Sequence, residues 1–548
     1  MSLRHFGIYL AWGPRVDLQK EGLGRLLVAF LRAAATREDV RFVIACPQWS
    51  RTSLLTLLES EGISASSFDV VSTEGVPLIL RMVLARSRER RPRKPSLPRR
   101  LLARIQSAAI RHRQRIERRL VATRSLATWL GITVYALMLG VLLFPLVTVA
   151  WLVRAAYRAF LWMARALLGI RWPRAAFHQL TAALSLPGEE AWVMRLYRLM
   201  EAAEGAKLAE VVNRIGHVKA WYCPAAFWPA FNQISMPRLM CVPDVVTADF
   251  PVGFALAEPE FLKNVEIVER AIAGSQRFVT YSSGVKWNTL VDRYSARPEA
   301  VAVVPHACWD LSPSIRVSGF LDNDAATRKY CEQQLKQALF RIGSNPYVEG
   351  FASESIRYLF YPSQFRPNKN VLTLLRAYEY LLRDRFIQEK LILTGDPNRL
   401  PAIRDFIREY RLENDVLCLH GLTTIELAAC YRLADLAVNP SLSEGGCPFT
   451  LTEALSVGTP VVMARIPVTE EVVLDETLRE MMLFDPYDWQ DVASRIEWAL
   501  RNRELLLAAQ SELYLALSKR TWRNVVDDYV AILDGLAEVS TPVEAAIP

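Results

Sequence analysis

The chain has 548 residues, of which 22% are charged and 51% hydrophobic, and carries a net charge of +9. That is more than one hydrophobic core serves, so at least two domains are expected. Eight cysteines without a C-x-x-C pair and six histidines without H-E-x-x-H spacing speak against a disulfide scaffold and against a protein-held metal. Free thiols suit a reducing cytoplasm, and the first residues lead straight into a strand rather than a signal peptide.

Residues 6–10 read as that strand, and Glu21-Gly22-Leu23-Gly24-Arg25 opens a helix running to Ala35. A second strand at 41–45 completes a βαβ start of the nucleotide-binding type, with Gly24 toward a cleft. A flexible helix entry explains the same glycines equally well.

The charge is concentrated further on. Residues 86–124 hold fifteen Arg or Lys against two Glu, a local surplus of 13 that leaves the rest of the chain net negative. Residues 125–153 then carry no charge at all, a run longer than the ~20 apolar residues that cross a bilayer. Basic residues flank this run on both sides, Arg154, Arg158 and Arg165 following it, so both flanks favour the cytoplasmic side. The expected arrangement is a membrane-dipping helix bent near Pro145, then an interfacial helix, with the basic block on anionic head groups. A buried core helix is the bland alternative. No aromatic residues interleave the arginines, so nucleic acid is not the expected partner.

Short strand-like segments resume at 221–224, 238–244, 278–283 and 301–306. Residues 310–355 turn polar, with a helical piece at 325–340 and a loop at 343–346. From 356 to 515 strand and helix alternate at short intervals, which argues for a doubly wound parallel sheet. A strand at 356–361 leads into the basic loop 362–370, containing Arg366 and Lys369, and a helix begins near Val371. Strands at 391–396 and 416–421 (containing His420) precede a helix at 424–433 and a strand at 434–439. An amphipathic helix starts at 521–523, and the tail from 540 is expected to be disordered.

Residues 440–462 are the most informative stretch. Glu444 and Glu453 stand on either side of a glycine turn, Glu444-Gly445-Gly446-Cys447. Pro448 suits a first helical position, and Leu451, Ala454 and Leu455 form an apolar stripe. Gly458 ends the helix before a buried strand. A glycine turn feeding a helix N-terminus favours an anion, and the carboxylates can accept from sugar hydroxyls. A ligand with both features is a nucleotide sugar.

The stretch resembles the signature of retaining glycosyltransferases of family 4 (glycosyl transferases group 1), which have the GT-B fold. Eight residues separate the two glutamates here, where that family has seven, and Pro243-Asp244 stands where it has His-Asp. The resemblance implies two Rossmann-like domains facing a cleft. The first, 1–85 with 175–312, would take the acceptor and carry the membrane-associated insert, 86–174. A linker, 313–355, would join it to the nucleotide-sugar domain, 356–518, and a last helix, 519–540, would return to the first domain. It further implies that Lys369 and Arg366 neutralise the donor diphosphate and that Glu453 accepts from the ribose. Glu444 and the backbone of Gly445, Gly446 and Cys447 would hold the sugar, with backbone near His420 and Leu422 on the base. Gly24 and Arg25 would lie near phosphate, and Asp244 would orient the acceptor. His306 is a strand-end histidine or a replacement imidazole at the cleft.

The activity implied is metal-independent, retaining transfer of a hexose (mannose or glucose) from a GDP- or UDP-sugar, with no bound cofactor. The acceptor would be a lipid-linked or growing envelope polysaccharide at the cytoplasmic face of the cell membrane, with polysaccharide-assembly proteins as further partners. The alternatives are a catalytically inactive GT-B scaffold of such a complex, or a phosphorylase or sucrose-phosphate-type synthase with a soluble acceptor.

Overall fold

The computed structural model describes residues 3–14, 16, 22–77, 80, 130–131, 134–135, 138, 192–257, 261–342 and 356–539. The basic block, nearly all of the apolar run, the loop at 343–346 and the tail from 540 lie outside these residues. Among the described residues, no helix is long and apolar enough to cross a membrane. The chain divides into two compact units, Met1–Glu74 with Glu204–Pro548, and Gly75–Ala203. In the second unit the helical residues Leu130, Val134, Tyr135 and Met138 have exposed side chains. Their spacing puts them on one face of a helix.

The first unit contains two parallel sheets. Strands β1 (Arg4–Tyr9), β2 (Val40–Cys46), β3 (Phe68–Ser72), β4 (Trp221–Cys223), β5 (Arg238–Cys241), β6 (Phe278–Thr280) and β7 (Val301–Val303) form one, in the order β3-β2-β1-β4-β5-β6-β7. Strands β8 (Tyr358–Tyr361), β9 (Lys390–Leu393), β10 (Val416–Cys418), β11 (Leu436–Asn439), β12 (Val461–Ala464) and β13 (Leu483–Phe484) form the other, in the order β10-β9-β8-β11-β12-β13. Each order reverses direction once, between β1 and β4 and between β8 and β11. Open sheets of this kind bind ligands at the carboxyl ends of the strands beside that reversal. The loops after β8 and β11 hold Lys369 and Glu444, so topology alone places the two side by side.

Burial on both faces explains the short, apolar strands. Tyr358, Leu359, Phe360 and Tyr361 of β8 are all buried, as are Val461, Val462, Met463 and Ala464 of β12. The helix Val371–Arg383 closes one face with Leu374, Leu375, Tyr378 and Leu381. Thr423 caps the helix Thr424–Leu433 by accepting from the Glu426 N–H, while Glu426 accepts from the Thr423 N–H in return. That reciprocal box satisfies two orphan donors.

The last helix, Trp522–Val539, lies on the first domain. Its Val525, Val526, Tyr529, Val530 and Leu533 are buried, and Tyr529 stacks edge-on against Phe30 and Tyr222. Arg37 donates to Asp527 at 2.6 Å, tying that helix to the turn before β2.

Candidate active site

The loops after β8 and β11 are joined by their own backbone. The Leu442 N–H donates to the Asn368 carbonyl at 2.8 Å, and the Tyr361 hydroxyl donates to the Lys369 carbonyl at 3.1 Å. Asn370 adopts φ 53°, a left-handed turn that asparagine tolerates, and starts the next helix. Lys369 is thereby directed to Glu444: its Nζ lies 2.8 Å from Oε1 and 3.3 Å from Ser441 Oγ. Both side chains are mostly buried, so the pair is less screened than a surface ion pair. Arg366 begins the same turn and donates to Gln364 at 2.8 Å, on the exposed side.

Glu453 is held differently. It is 3% exposed, receives a hydrogen bond from Tyr431 at 3.0 Å, and is paired with Arg25 from the first domain. Burial pushes the Tyr431 phenol well above its usual range, so it stays a donor. Arg25 also lies 4.6 Å from the Trp309 ring centre and 5.7 Å from that of Phe449. Gly24, buried in the first turn of the helix Gly22–Ala34, puts Arg25 at this point of the cleft.

The glycine turn is shaped by the opposite domain. A Cβ on Gly445 would sit 2.3 Å from the Pro243 carbonyl oxygen, a backbone atom that cannot swing aside. One on Gly446 would meet Tyr281 Cβ at 2.6 Å and the His306 ring at 3.2 Å. Close domain approach is thus a second requirement for these glycines, beside the ligand access read from sequence. Ser282 Oγ donates to the Gly445 carbonyl at 3.1 Å, and Trp309 N–H donates to Thr452 Oγ1 at 3.2 Å. Glu471 accepts from the Ser283 N–H at 2.9 Å and the Gly284 N–H at 3.3 Å. Pro448 takes the cap position, one residue earlier than the sequence suggests, and the helix is Phe449–Ser456.

Asp244 follows β5 and lies partly buried beside this turn. Burial raises its carboxyl to about 6, Glu444 adds to the rise, and Lys369 and Arg366 oppose it. His306 is packed among Tyr281, Phe449 and Trp522, with Nδ1 3.1 Å from the Ala307 carbonyl. Burial lowers its pKa, which favours the neutral ring. Burial also pushes the Cys447 thiol up, which argues against a thiolate nucleophile. His420 is exposed at the end of β10, the sheet edge, two strands from β8, and Leu422 packs partly against the core nearby.

The structure therefore brings together Lys369, Glu444, Arg366 and Asp244, and separately Arg25, Glu453 and Tyr431. Tyr431, Ser441 and Glu471 are not legible in the sequence, because nothing local distinguishes them from core or surface residues. Among the described residues, no cluster of three or more His, Cys, Asp or Glu is arranged to hold a metal ion.

Residues 349–513 match the family model described as Glycosyl transferases group 1. The chain is 26% identical over 188 residues to the lipopolysaccharide 1,2-N-acetylglucosaminetransferase of Salmonella typhimurium, covering 32% of this chain and 48% of that protein. It is 29% identical over 166 residues to the serotype-specific mannosyltransferase WbdA of Escherichia coli, covering 30% of this chain and 20% of that one. The chain thus spans half or less of the length of these relatives. Among solved structures, Anabaena Alr3699/HepE in complex with UDP and glucose matches with a TM-score of 0.52 at 13% identity, covering 97% of this chain and 100% of that one. The sucrose-phosphate synthase of Thermosynechococcus elongatus matches at 0.54 and 12%, covering 98% and 100%. The second sheet and its helices therefore match the glycosyl transferases group 1 family, and the two-domain fold is GT-B.

Proposed function

We propose that the protein is a glycosyltransferase, moving a hexose from a UDP- or GDP-sugar to a lipid-linked or growing polysaccharide acceptor. The observation that carries this reading is the Lys369–Glu444 pair, set at the strand-order reversal of a domain matched to glycosyl transferases group 1. A cation fixed there faces the diphosphate as it leaves, and preorganised charge of this kind removes several kcal/mol from a barrier. Arg366 adds a second cation from the same turn. Glu444 and the turn backbone hold sugar hydroxyls, and Glu453 accepts from the ribose once Arg25 yields.

Transfer is proposed to be retaining. The anomeric carbon–oxygen bond to the diphosphate breaks, and the acceptor oxygen bonds on the same face. The acceptor proton passes to the departing phosphate oxygen. No side-chain nucleophile is needed, and the cations of this chain serve in place of a divalent metal. The named relatives, an N-acetylglucosaminyl- and a mannosyltransferase, favour an acceptor in envelope polysaccharide synthesis. Membrane attachment at the cytoplasmic face rests on the basic block and apolar run, and on the exposed apolar helix face at Leu130, Val134, Tyr135 and Met138.

A scaffold without activity is the second reading, favoured by Pro243 in place of histidine and by the existing Arg25–Glu453 pair. Membranes containing the protein, incubated with a panel of labelled nucleotide sugars, separate the two. Transfer that is lost in Lys369→Ala supports the enzyme. No transfer from any donor, with Glu453→Ala indistinguishable from the native protein, supports the scaffold.

A further inference from the structure

A cavity of about 210 Å³ opens beside Glu444, between the two Rossmann-like domains. It is smaller than the ~300–1,000 Å³ of drug-sized pockets, so one sugar ring is the largest unit it encloses. Asp244, Asp249, Asn288, Thr289 and Arg293 line the first-domain side. The segment Val285–Val291 forms a π-helical turn there, an irregularity that is frequent at functional sites. Its start is fixed by Glu471 of the second domain, through the Ser283 and Gly284 N–H groups.

The charges lining this space are unequal. Three are carboxylates, Asp244, Asp249 and Glu444, against one guanidinium, Arg293. Arg293 is committed, its Nη1 lying 2.6 Å from Asp249 Oδ1. Glu444 is matched by Lys369 from behind. Asp244 supplies the remaining charge of the lining itself, beside Asn288 and Thr289, while Lys369 and Arg366, which oppose it, stand outside the lining. Such a wall accepts hydrogen bonds from sugar hydroxyls and repels a phosphate dianion.

We propose that this cavity receives the acceptor as a neutral sugar ring, and that the Asp249–Arg293 pair excludes a phosphorylated one. The inference rests on the glycosyltransferase reading and narrows it, since it removes the sugar-phosphate acceptors that the sequence left open. Asp249 is the residue that sets the exclusion, because its carboxylate holds the guanidinium that would otherwise offer itself to phosphate. Like charge facing a ligand group lowers affinity strongly, and removing it restores binding.

The test uses the full-length protein in detergent, with and without UDP or GDP, and octyl mannoside and octyl glucoside against mannose 6-phosphate and glucose 6-phosphate. Dissociation constants are read by saturation-transfer NMR, which needs no turnover. The native protein is expected to bind an alkyl glycoside at least ~10-fold more tightly than the sugar phosphates. Asp249→Asn, which frees Arg293, is expected to reduce that ratio to within ~3-fold, and Arg293→Gln to widen it. Equal binding of both classes by the native protein overturns the proposal. So does a ratio unmoved by either substitution, or binding of neither class. Failure of UDP and GDP to bind strikes the donor reading instead, because the sugar ratio is also measured without nucleotide.

Discussion

The two Rossmann-like domains share a strand order but contribute to the cleft in different ways. The second supplies the charges: Lys369 and Glu444 come from loops after adjacent strands, stitched together by Asn368 and Ser441. The first supplies mostly shape, with the Pro243 carbonyl, Tyr281 and His306 filling the space that Gly445 and Gly446 leave open. Its charged contributions are Arg25, which is spent on Glu453, and Asp244 beside the Lys369–Glu444 pair. Chemistry in such a fold is built into one sheet's loops, while the opposite sheet decides how closely they can be covered.

Breaking the charged half should have the largest effect. Lys369→Ala removes the cation and leaves Glu444 without its partner, and transfer is expected to fall ~10²–10³-fold, as when one preorganised group facing developing charge is removed. A labelled-donor assay checks this, with Lys369→Arg expected to recover part of the loss. Breaking the shape half comes next. Gly445→Ala pushes a Cβ against the Pro243 carbonyl, and overpacking of this kind costs about 1–3 kcal/mol. A lower melting temperature and weaker nucleotide affinity are both expected.

A contact that joins the halves should matter less for stability. Arg25→Ala leaves the buried Glu453 carboxylate with Tyr431 alone. Because Arg25 is itself 31% exposed, the cost should stay near ~1 kcal/mol, below that of a fully buried pair. Nucleotide affinity should rise in the same variant if the ribose and Arg25 compete for Glu453. Calorimetry on the two proteins compares them directly.

The last expected effect is one of pH. The Asp244 carboxyl is raised to about 6 in the folded protein, above its ordinary 3.8, so the native state holds a proton that the unfolded chain has released. Its contribution is full below about pH 4 and is lost as pH rises to about 6. Asp244→Asn should flatten that part of the stability profile and raise stability at pH 7 by at most ~3 kcal/mol. Denaturant unfolding at pH 4, 5, 6 and 7 measures it.

The same contrast explains what the sequence discloses. Lys369, Glu444 and Glu453 are legible because each lies in a local pattern: a basic loop after an apolar strand, or a glycine turn entering a helix. The strands of the second domain and the helix Thr424–Leu433 are legible for the same reason, being apolar runs bounded by turn residues. Short strands of the first domain, β4, β6 and β7 with three residues each, are legible mainly beside the family pattern. Partners across the cleft are not. Arg25 meets Glu453 across 428 positions of chain, and Glu471 reaches Ser283 across 188. No window of sequence contains either pair. Likewise Gly445 signals access for a ligand in sequence, whereas its fit against Pro243 appears only when the domains are assembled.

The most direct test of the account is calorimetric titration of UDP and GDP into the full-length protein and into Lys369→Ala. One nucleotide should bind the native protein and lose at least ~10-fold in affinity in the variant, the loss of a charge-assisted contact to phosphate. Equal affinity in both proteins, or no binding of either nucleotide, would contradict the claim that Lys369 and Glu444 form a nucleotide-sugar site.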